Sequence, residues 1–175
     1  MGRRIFGDHQ LINDFIKTLT KIEVLEDGWS IVYKDLNTNL SWLQYQIDSE
    51  YHGGGQSNLI RLPEPSFREL IDITLHSPFE DEVIAASIKL RDDEVFKGIE
   101  FRYVLIDLLE KKILRDLSQE DIKRLTNIIR FSELDSSLNR REILKKNIAE
   151  IDSDTTFFSE ISKRADRLLN KIKKL

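Results

Sequence analysis

The chain has 175 residues, of which 40% are hydrophobic and 33% charged, and its formal net charge is −4. This composition is typical of a globular protein with a core, and it argues against a disordered chain. Cysteine is absent, which excludes disulfides, Cys-based zinc sites and thiol nucleophiles.

Two further features concern the compartment. No apolar run approaches the roughly 18 to 20 residues that cross a bilayer, and the first residues reach Asp8 and His9 before any apolar stretch, so no secretory signal is expected. We therefore expect a cytoplasmic protein that does not contact membranes.

The charges are unevenly distributed along the chain. Residues 1–63 hold 8 acids and 6 bases, residues 64–110 hold 12 and 5, and residues 111–175 hold 11 and 16. An acidic middle segment favours encounter with a basic partner, although solvated helix faces would give the same pattern. Lysines at the C-terminal end suit a helix C-terminus better than a nucleic-acid site, so no nucleic-acid partner is expected.

The N-terminal third predicts a helix followed by a small sheet. Apolar residues between Asp8 and Ile22 recur at spacings of three and four, which indicates an amphipathic helix. Aromatic and β-branched residues in 29–35, and alternation in 40–48, predict two strands of an antiparallel hairpin. A third strand at 57–62 ends at Pro63. The prediction is a three-stranded meander covered by the helix.

Three glycines stand together in the loop that precedes the third strand, Gly53, Gly54 and Gly55. Such a loop can form an oxyanion hole, but that chemistry needs a G-x-S-x-G nucleophile motif, which the chain lacks. A sharp turn is the simpler interpretation. Glu50 and His52 could form an acid–base pair or a hydrogen bond that stabilises the turn. With three scattered histidines, no metal site is expected.

The remainder of the chain predicts helices. Capping boxes begin at Ser66, Ser77 and Ser118, and helices are expected around 83–90, over 99–114, from Asn139 and from about Thr156 to Leu175. The sequence of this part contains no recognisable repeat of constant length. The overall prediction is an α+β fold with two parts, an α+β module at 1–63 and an irregular α-helical subdomain at 64–175 packed on it.

Several short motifs, in this order, resemble the immunity protein 27 family, whose members accompany bacterial polymorphic toxins. The motifs are Asp27-Gly28-Trp29, Val32-Tyr33-Lys34-Asp35, Trp42-Leu43-Gln44-Tyr45 and Ser49-Glu50-Tyr51-His52-Gly53-Gly54-Gly55 followed by Leu59. The resemblance covers residues 8–62. It departs from the family pattern at Ile47-Asp48 and at Gln56-Ser57, where the family has prolines, and it does not extend to residues 66–175.

The resemblance implies an immunity protein that binds and neutralises one cognate toxin by stoichiometric inhibition. No catalysis, cofactor or metal is expected, and the protein would be a monomer or small homo-oligomer. An acidic surface would suit a basic toxin such as a nuclease. The alternative is a helical interaction scaffold capped by a small sheet, and an enzyme ranks third. The candidate partner-binding residues are Trp42, Glu50, Tyr51, His52, Gly53, Gly54, Gly55, Glu80, Asp81, Glu82, Asp92, Asp93 and Glu94.

Aromatic residues of the predicted sheet have a second interpretation. The alternative to a contact surface is ordinary core packing, for each of Trp29, Tyr33, Trp42 and Tyr45. We expect at least two of the four to be buried.

Overall fold

The computed structural model describes residues 2–25, 28–47, 56–112 and 117–174. The chain forms two compact units, residues 1–86 and residues 87–175. The division falls inside a helix, whereas the predicted modules were 1–63 and 64–175.

Unit 1 contains a five-stranded antiparallel sheet. The strands are β1 (Ile5–Phe6), β2 (Thr20–Val24), β3 (Ile31–Lys34), β4 (Ser41–Ile47) and β5 (Gln56–Leu62), and their spatial order is β1-β5-β4-β3-β2. Each neighbouring pair is antiparallel. The predicted hairpin and third strand are confirmed as β3, β4 and β5, but the three-stranded meander is wrong because β1 and β2 complete the sheet.

The predicted N-terminal helix is shorter than expected. Helix α1 (His9–Ile16) follows β1 and is capped by Asp8, whose side chain accepts from the Leu11 amide. The Thr18 amide and hydroxyl both donate to the Phe15 carbonyl, at 2.9 and 2.7 Å, which closes the last turn. The residues that follow are rich in β-branched side chains and form β2 instead. A helix as far as Ile22 is therefore wrong.

Helix α1 packs on one face of the sheet. Ile12 forms a buried cluster with Tyr33, Trp42 and Leu59, as the prediction of a covering helix requires. The Trp42 ring makes edge contacts with Phe6 and Phe15, at centroid distances of 5.5 and 5.0 Å. Two of the four aromatic residues, Tyr33 and Trp42, are thus core residues, while Trp29 is 65% exposed.

Two helices follow the sheet, α2 (Phe67–His76) and α3 (Glu80–Lys97). The capping box at Ser66 is confirmed, because Ser66 and Glu69 bond each other's amides. At the start of α3 the Ser77 hydroxyl accepts from the Phe79 amide and donates to Glu82, five residues ahead. Helix α3 continues through the boundary between the two units.

Unit 2 contains α4 (Arg102–Lys112), α5 (Gln119–Phe131) and α6 (Ile148–Ile172), and α6 packs against both of the others. The capping box at Ser118 is confirmed. The helix predicted from Asn139 is wrong: residues 136–147 form no helix or strand, and α6 begins at Ile148 with Asn147 as its cap.

Candidate functional site

Glu82 is buried beneath the first strand. One carboxylate oxygen accepts from the amides of Arg4 (2.6 Å) and Ile5 (2.9 Å), and the other accepts from the Ser77 hydroxyl (2.5 Å). Its side chain therefore satisfies backbone donors at the sheet edge, and the residue is only 4% exposed. A buried carboxylate is stable only when it is paired in this way. Glu82 fixes the N-terminal segment and does not lie on a contact surface.

Asp81 binds the same segment from outside. Its carboxylate accepts from the Gly7 amide (3.1 Å) and the Asp8 amide (3.3 Å), and it forms an ion pair with Arg3. The backbones approach so closely here that a Cβ on Gly7 would lie 2.8 Å from the Asp81 carbonyl oxygen. This explains why the position is a glycine.

The second predicted acidic cluster lies in the part of α3 that belongs to unit 2. Asp93 and Glu94 are 5% and 3% exposed, and Asp92 is half-buried. Asp93 pairs with Lys89 and Lys97, and Asp92 pairs with Arg91. These three acids do not form the exposed patch that we predicted.

Glu94 and Arg102 form an ion pair in which both side chains are almost completely buried. The Nε atom of Arg102 lies 2.7 and 3.0 Å from the two carboxylate oxygens of Glu94, and Arg102 also donates to the Glu133 carbonyl. Burial raises the pKa of Glu94 against the opposing effect of Arg102. The same burial lowers the pKa of Arg102. Both side chains of this ion pair are therefore buried among the packed helices.

The remaining predicted contact residues are Trp42 and residues 50–55. Trp42 is 4% exposed and packs in the core, so its ring is not available to a partner. The candidates Glu50, Tyr51, His52, Gly53, Gly54 and Gly55 lie outside the described residues.

A groove of about 770 Å³ in unit 1 brings two of the predicted residues together with others. Glu80 and Asp81 line it from the start of α3, and α1 contributes Asp14 together with its cap, Asp8. The rest of the lining is Arg3, Gln10, Leu11, Pro78, Phe79 and Ile84. We call this surface the acidic groove, since it is lined by four carboxylates and a single guanidinium.

The acidic groove also has an apolar part. Leu11 and Phe79 are 42% and 40% exposed, so both offer apolar surface to the groove. Sequence reasoning missed Leu11, which the helical periodicity assigned to a buried stripe, and it missed Phe79 altogether. Exposed apolar side chains surrounded by charged groups are typical of a protein contact surface.

Arg3 occupies one part of this groove in an unusual setting. Its guanidinium carbon lies 4.3 Å from the centroid of the Phe6 ring and 4.6 Å from that of Phe79. The same guanidinium pairs with Asp81. Two aromatic rings and a carboxylate thus surround one cation.

A second depression, of about 410 Å³, lies between α4 and α6 in unit 2. It is lined by Asp107, Glu110, Lys111, Arg167, Leu168 and Lys171, so its charges are mixed. Its two carboxylates are bound by Arg164, whose hydrogen bonds lower the pKa of Glu110. This depression therefore favours neither an anionic nor a cationic partner.

The described residues provide neither a metal-binding cluster nor a membrane-spanning helix. No group of three or more His, Asp or Glu side chains among them could hold a metal ion. His9 contacts Asn13, and His76 contacts Asp72. Within the same ranges, none of the helices combines the length and the apolar character needed to cross a bilayer.

Comparison of the chain with protein-family models, with curated proteins and with solved structures gave no match. The resemblance to the immunity protein 27 family stays a prediction, based on the motifs given above.

Proposed function

We propose that the protein is an immunity protein that binds a cognate bacterial toxin through the acidic groove and neutralises it stoichiometrically. The observation that carries this proposal is the groove itself, in which four carboxylates surround exposed apolar side chains. The resemblance of residues 8–62 to immunity proteins suggests that this partner is a bacterial toxin. A toxin with a basic surface, such as a nuclease, suits the charge.

Electrostatics of the whole unit support a basic partner. Unit 1 contains 14 acidic and 7 basic residues and has a net charge of −7, whereas unit 2 has 17 and 20 and a net charge of +3. Charge of this sign accelerates encounter with a basic protein and orients it. Affinity would then come from the apolar residues, because contacts that exclude water dominate binding energy.

The local rigidity of the groove supports binding without rearrangement. Asp81 and Glu82 fix the N-terminal segment to α3 through four backbone amides. A surface that is already ordered loses little conformational entropy on association. Inhibition of this kind requires no catalytic step by the protein.

A second candidate function is the interaction scaffold, and one observation favours it. The segment before α6 exposes Leu138, Ile143 and Leu144, and the first residue of α6, Ile148, is exposed too, by 52 to 87% in all four cases. Arg141 and Lys146 hold this segment through ion pairs with Asp154. An apolar surface in unit 2 would suit a partner different from that of the acidic groove.

The proposal is tested with the toxin encoded by the adjacent gene, by co-expression and by measured association. Three exposed groove carboxylates are neutralised together as Asp8→Asn, Asp14→Asn and Glu80→Gln, where Asn keeps the helix cap. We expect the dissociation constant to rise about tenfold or more, mostly through slower association, and the salt dependence to weaken.

The matched control neutralises three exposed carboxylates of unit 2, Glu120→Gln, Glu142→Gln and Asp152→Asn. It changes the net charge equally and should leave binding nearly unchanged. Equal loss of affinity in both variants would remove the groove from the interface. If the wild-type protein neither protects cells from the toxin nor co-purifies with it, the immunity function is wrong.

A further inference from the structure

The surroundings of Arg3 have the composition of a cation-binding cage. The rings of Phe6 and Phe79 lie on the guanidinium, and Asp81 supplies the opposite charge. Aromatic faces attract cations through their quadrupole, and arginine is the preferred cation because its plane stacks on a ring. The Phe79 ring is 40% exposed, so the cage opens into the acidic groove.

The local backbone does not depend on the side chain of Arg3. The backbone around β1 is held by amides that follow Arg3 in the chain: those of Arg4 and Ile5 donate to Glu82, and that of Gly7 donates to Asp81. The Arg61 amide donates to the carbonyl of Arg4 at 2.9 Å. Apart from the cage, the side chain of Arg3 has one long bond, from Nε to the Ile5 carbonyl at 3.3 Å. It can therefore rotate out of the cage while β1 stays paired.

Charge near the cage favours a second cation once Arg3 has left. Asp8, Asp14 and Glu80 line the same groove, and each is exposed. These carboxylates would raise the local concentration of a positively charged side chain. Asp81 would remain fixed by the amides of Gly7 and Asp8 and would keep its position for the incoming cation.

We propose that this cage is an arginine-binding subsite, in which Arg3 is the resident occupant and is exchanged for an arginine side chain of the partner protein. The inference deepens the proposed function, on which it rests for the identity of the partner. It makes Arg3 an internal competitor: the partner's guanidinium gains the two rings and Asp81 only when the guanidinium of Arg3 moves to solvent.

The first test uses the full chain without any toxin. Arg3→Ala empties the cage, and N-acetyl-arginine amide is titrated while the ring signals of Phe6 and Phe79 are followed by NMR. We expect a dissociation constant in the millimolar range, roughly tenfold or more below that of the wild-type protein. The corresponding citrulline amide has the same shape without the charge and should not bind.

Two variants serve as controls. Arg68→Ala removes an exposed arginine of unit 1 from α2, outside the cage, and should leave arginine binding as weak as in the wild type. Adding Phe79→Leu to Arg3→Ala should abolish binding. The inference is overturned if Arg3→Ala binds arginine no better than the wild type, or if citrulline binds equally well.

A second measurement does not depend on the stability of Arg3→Ala. In the wild-type protein, the side-chain protons of Arg3 should show ring-current shifts from Phe6 and Phe79. Saturation with the toxin should remove these shifts while the backbone signals of β1 persist. Shifts that are unchanged in the complex would disprove exchange.

The two proposals fail in different ways. If the toxin is not neutralised but Arg3→Ala binds arginine selectively, the proposed immunity function is wrong and the arginine-binding subsite is supported. If the toxin binds through the groove and the signals of Arg3 do not change, the subsite is wrong and the function stands.

Discussion

At the scale of single residues, neighbouring carboxylates serve different purposes. Glu82 is buried on backbone amides, Asp81 pairs with the occupant of the cage, and Glu80 lines the open groove. Burial sets these roles, because a buried carboxylate depends on protein partners whereas an exposed one is also hydrated. Substitutions within one acidic run should therefore have unequal effects on stability and binding.

The exposed capping box of α2 gives a pH prediction. Hydrogen bonds from the Ser66 amide and hydroxyl lower the pKa of Glu69 to about 2 from 4.5. Because the folded-state pKa is depressed, the stabilisation is present above pH 4.5 and is lost as the pH falls toward 2. Glu69→Gln should remove this part of the acid-induced destabilisation. Urea unfolding at several pH values measures it.

A control for that experiment is Glu23→Gln, which removes an exposed carboxylate from β2. It should leave the acid limb of the wild-type stability curve intact. A Glu69→Gln protein whose stability falls with pH as steeply as that of the wild type would contradict the assignment.

At the scale of elements, strand β2 is an exposed edge of the sheet. All five of its residues are exposed, and within the described part of the chain its one strand partner is β3. Such an edge can pair with strands of other molecules. Lys21 and Glu23 place charges on it, and the register shifts between these two residues, which bends the strand. The element thus combines two devices that oppose edge-to-edge association.

Removing the charges of Lys21 and Glu23 should make the edge strand β2 prone to associate with other molecules. We expect the double variant Lys21→Ile, Glu23→Val to associate or aggregate at concentrations where the wild type does not, because β2 becomes an apolar edge strand. Sedimentation or light scattering measures this. The control Lys163→Ile, Asp166→Val makes the same change on the exposed side of α6, where no strand edge exists. Association of both variants to the same extent would show that hydrophobicity alone is responsible.

At the scale of the whole molecule, the two units share α3, since the division falls between Ala86 and Ser87. The two units also differ in the spectroscopic probes that they contain. Both tryptophans, Trp29 and Trp42, belong to unit 1, whereas α4, α5 and α6 belong to unit 2. Tryptophan fluorescence therefore follows the unfolding of unit 1, whereas far-UV circular dichroism follows the helices of both units.

The buried ion pair of unit 2 tests whether unfolding is cooperative. Arg102→Met leaves Glu94 buried without its cation, which should lower the free energy of unfolding by about 3–5 kcal/mol. Because α3 is common to both units, we expect the fluorescence and circular dichroism transitions to shift together. In the double variant Arg102→Met, Glu94→Gln, part of the loss should be recovered. A fluorescence transition that stays in place would show that the units unfold separately.

Local patterns predicted the local structure of this chain well. Strands β3 to β5 and the boxes at Ser66 and Ser118 depend on neighbouring residues, and they are confirmed. Two elements were missed for physical reasons. Strand β1 has two residues and carries no periodicity, and β2 begins where Thr18 closes the helix.

The prediction from Asn139 failed because tertiary contacts override a local signal. The Asn139 side chain accepts from the Arg141 amide, two residues ahead, in a turn rather than a helix. Arg141 and Lys146 both bond Asp154 on α6, which holds the segment in its irregular path. No pattern within the segment reveals these partners.

The candidate site was predictable only in part. Glu80 and Asp81 were chosen for their charge, and they do line the groove. Asp93 and Glu94 were chosen for the same reason, but they form ion pairs with cations of the same unit. Glu82 meets amides 77 and 78 positions earlier in the chain. Charge is visible in a sequence, whereas the partner of each charge depends on the fold.

The position of Arg3 has a practical consequence for handling the protein. A cationic tag joined to the chain shortly before Arg3 would lie close in sequence to a side chain that lines the groove. A polyhistidine or lysine-rich leader would place extra cations beside Asp8 and Glu80, where they could occupy the very surface being assayed. A cationic leader should therefore be cleaved before any titration.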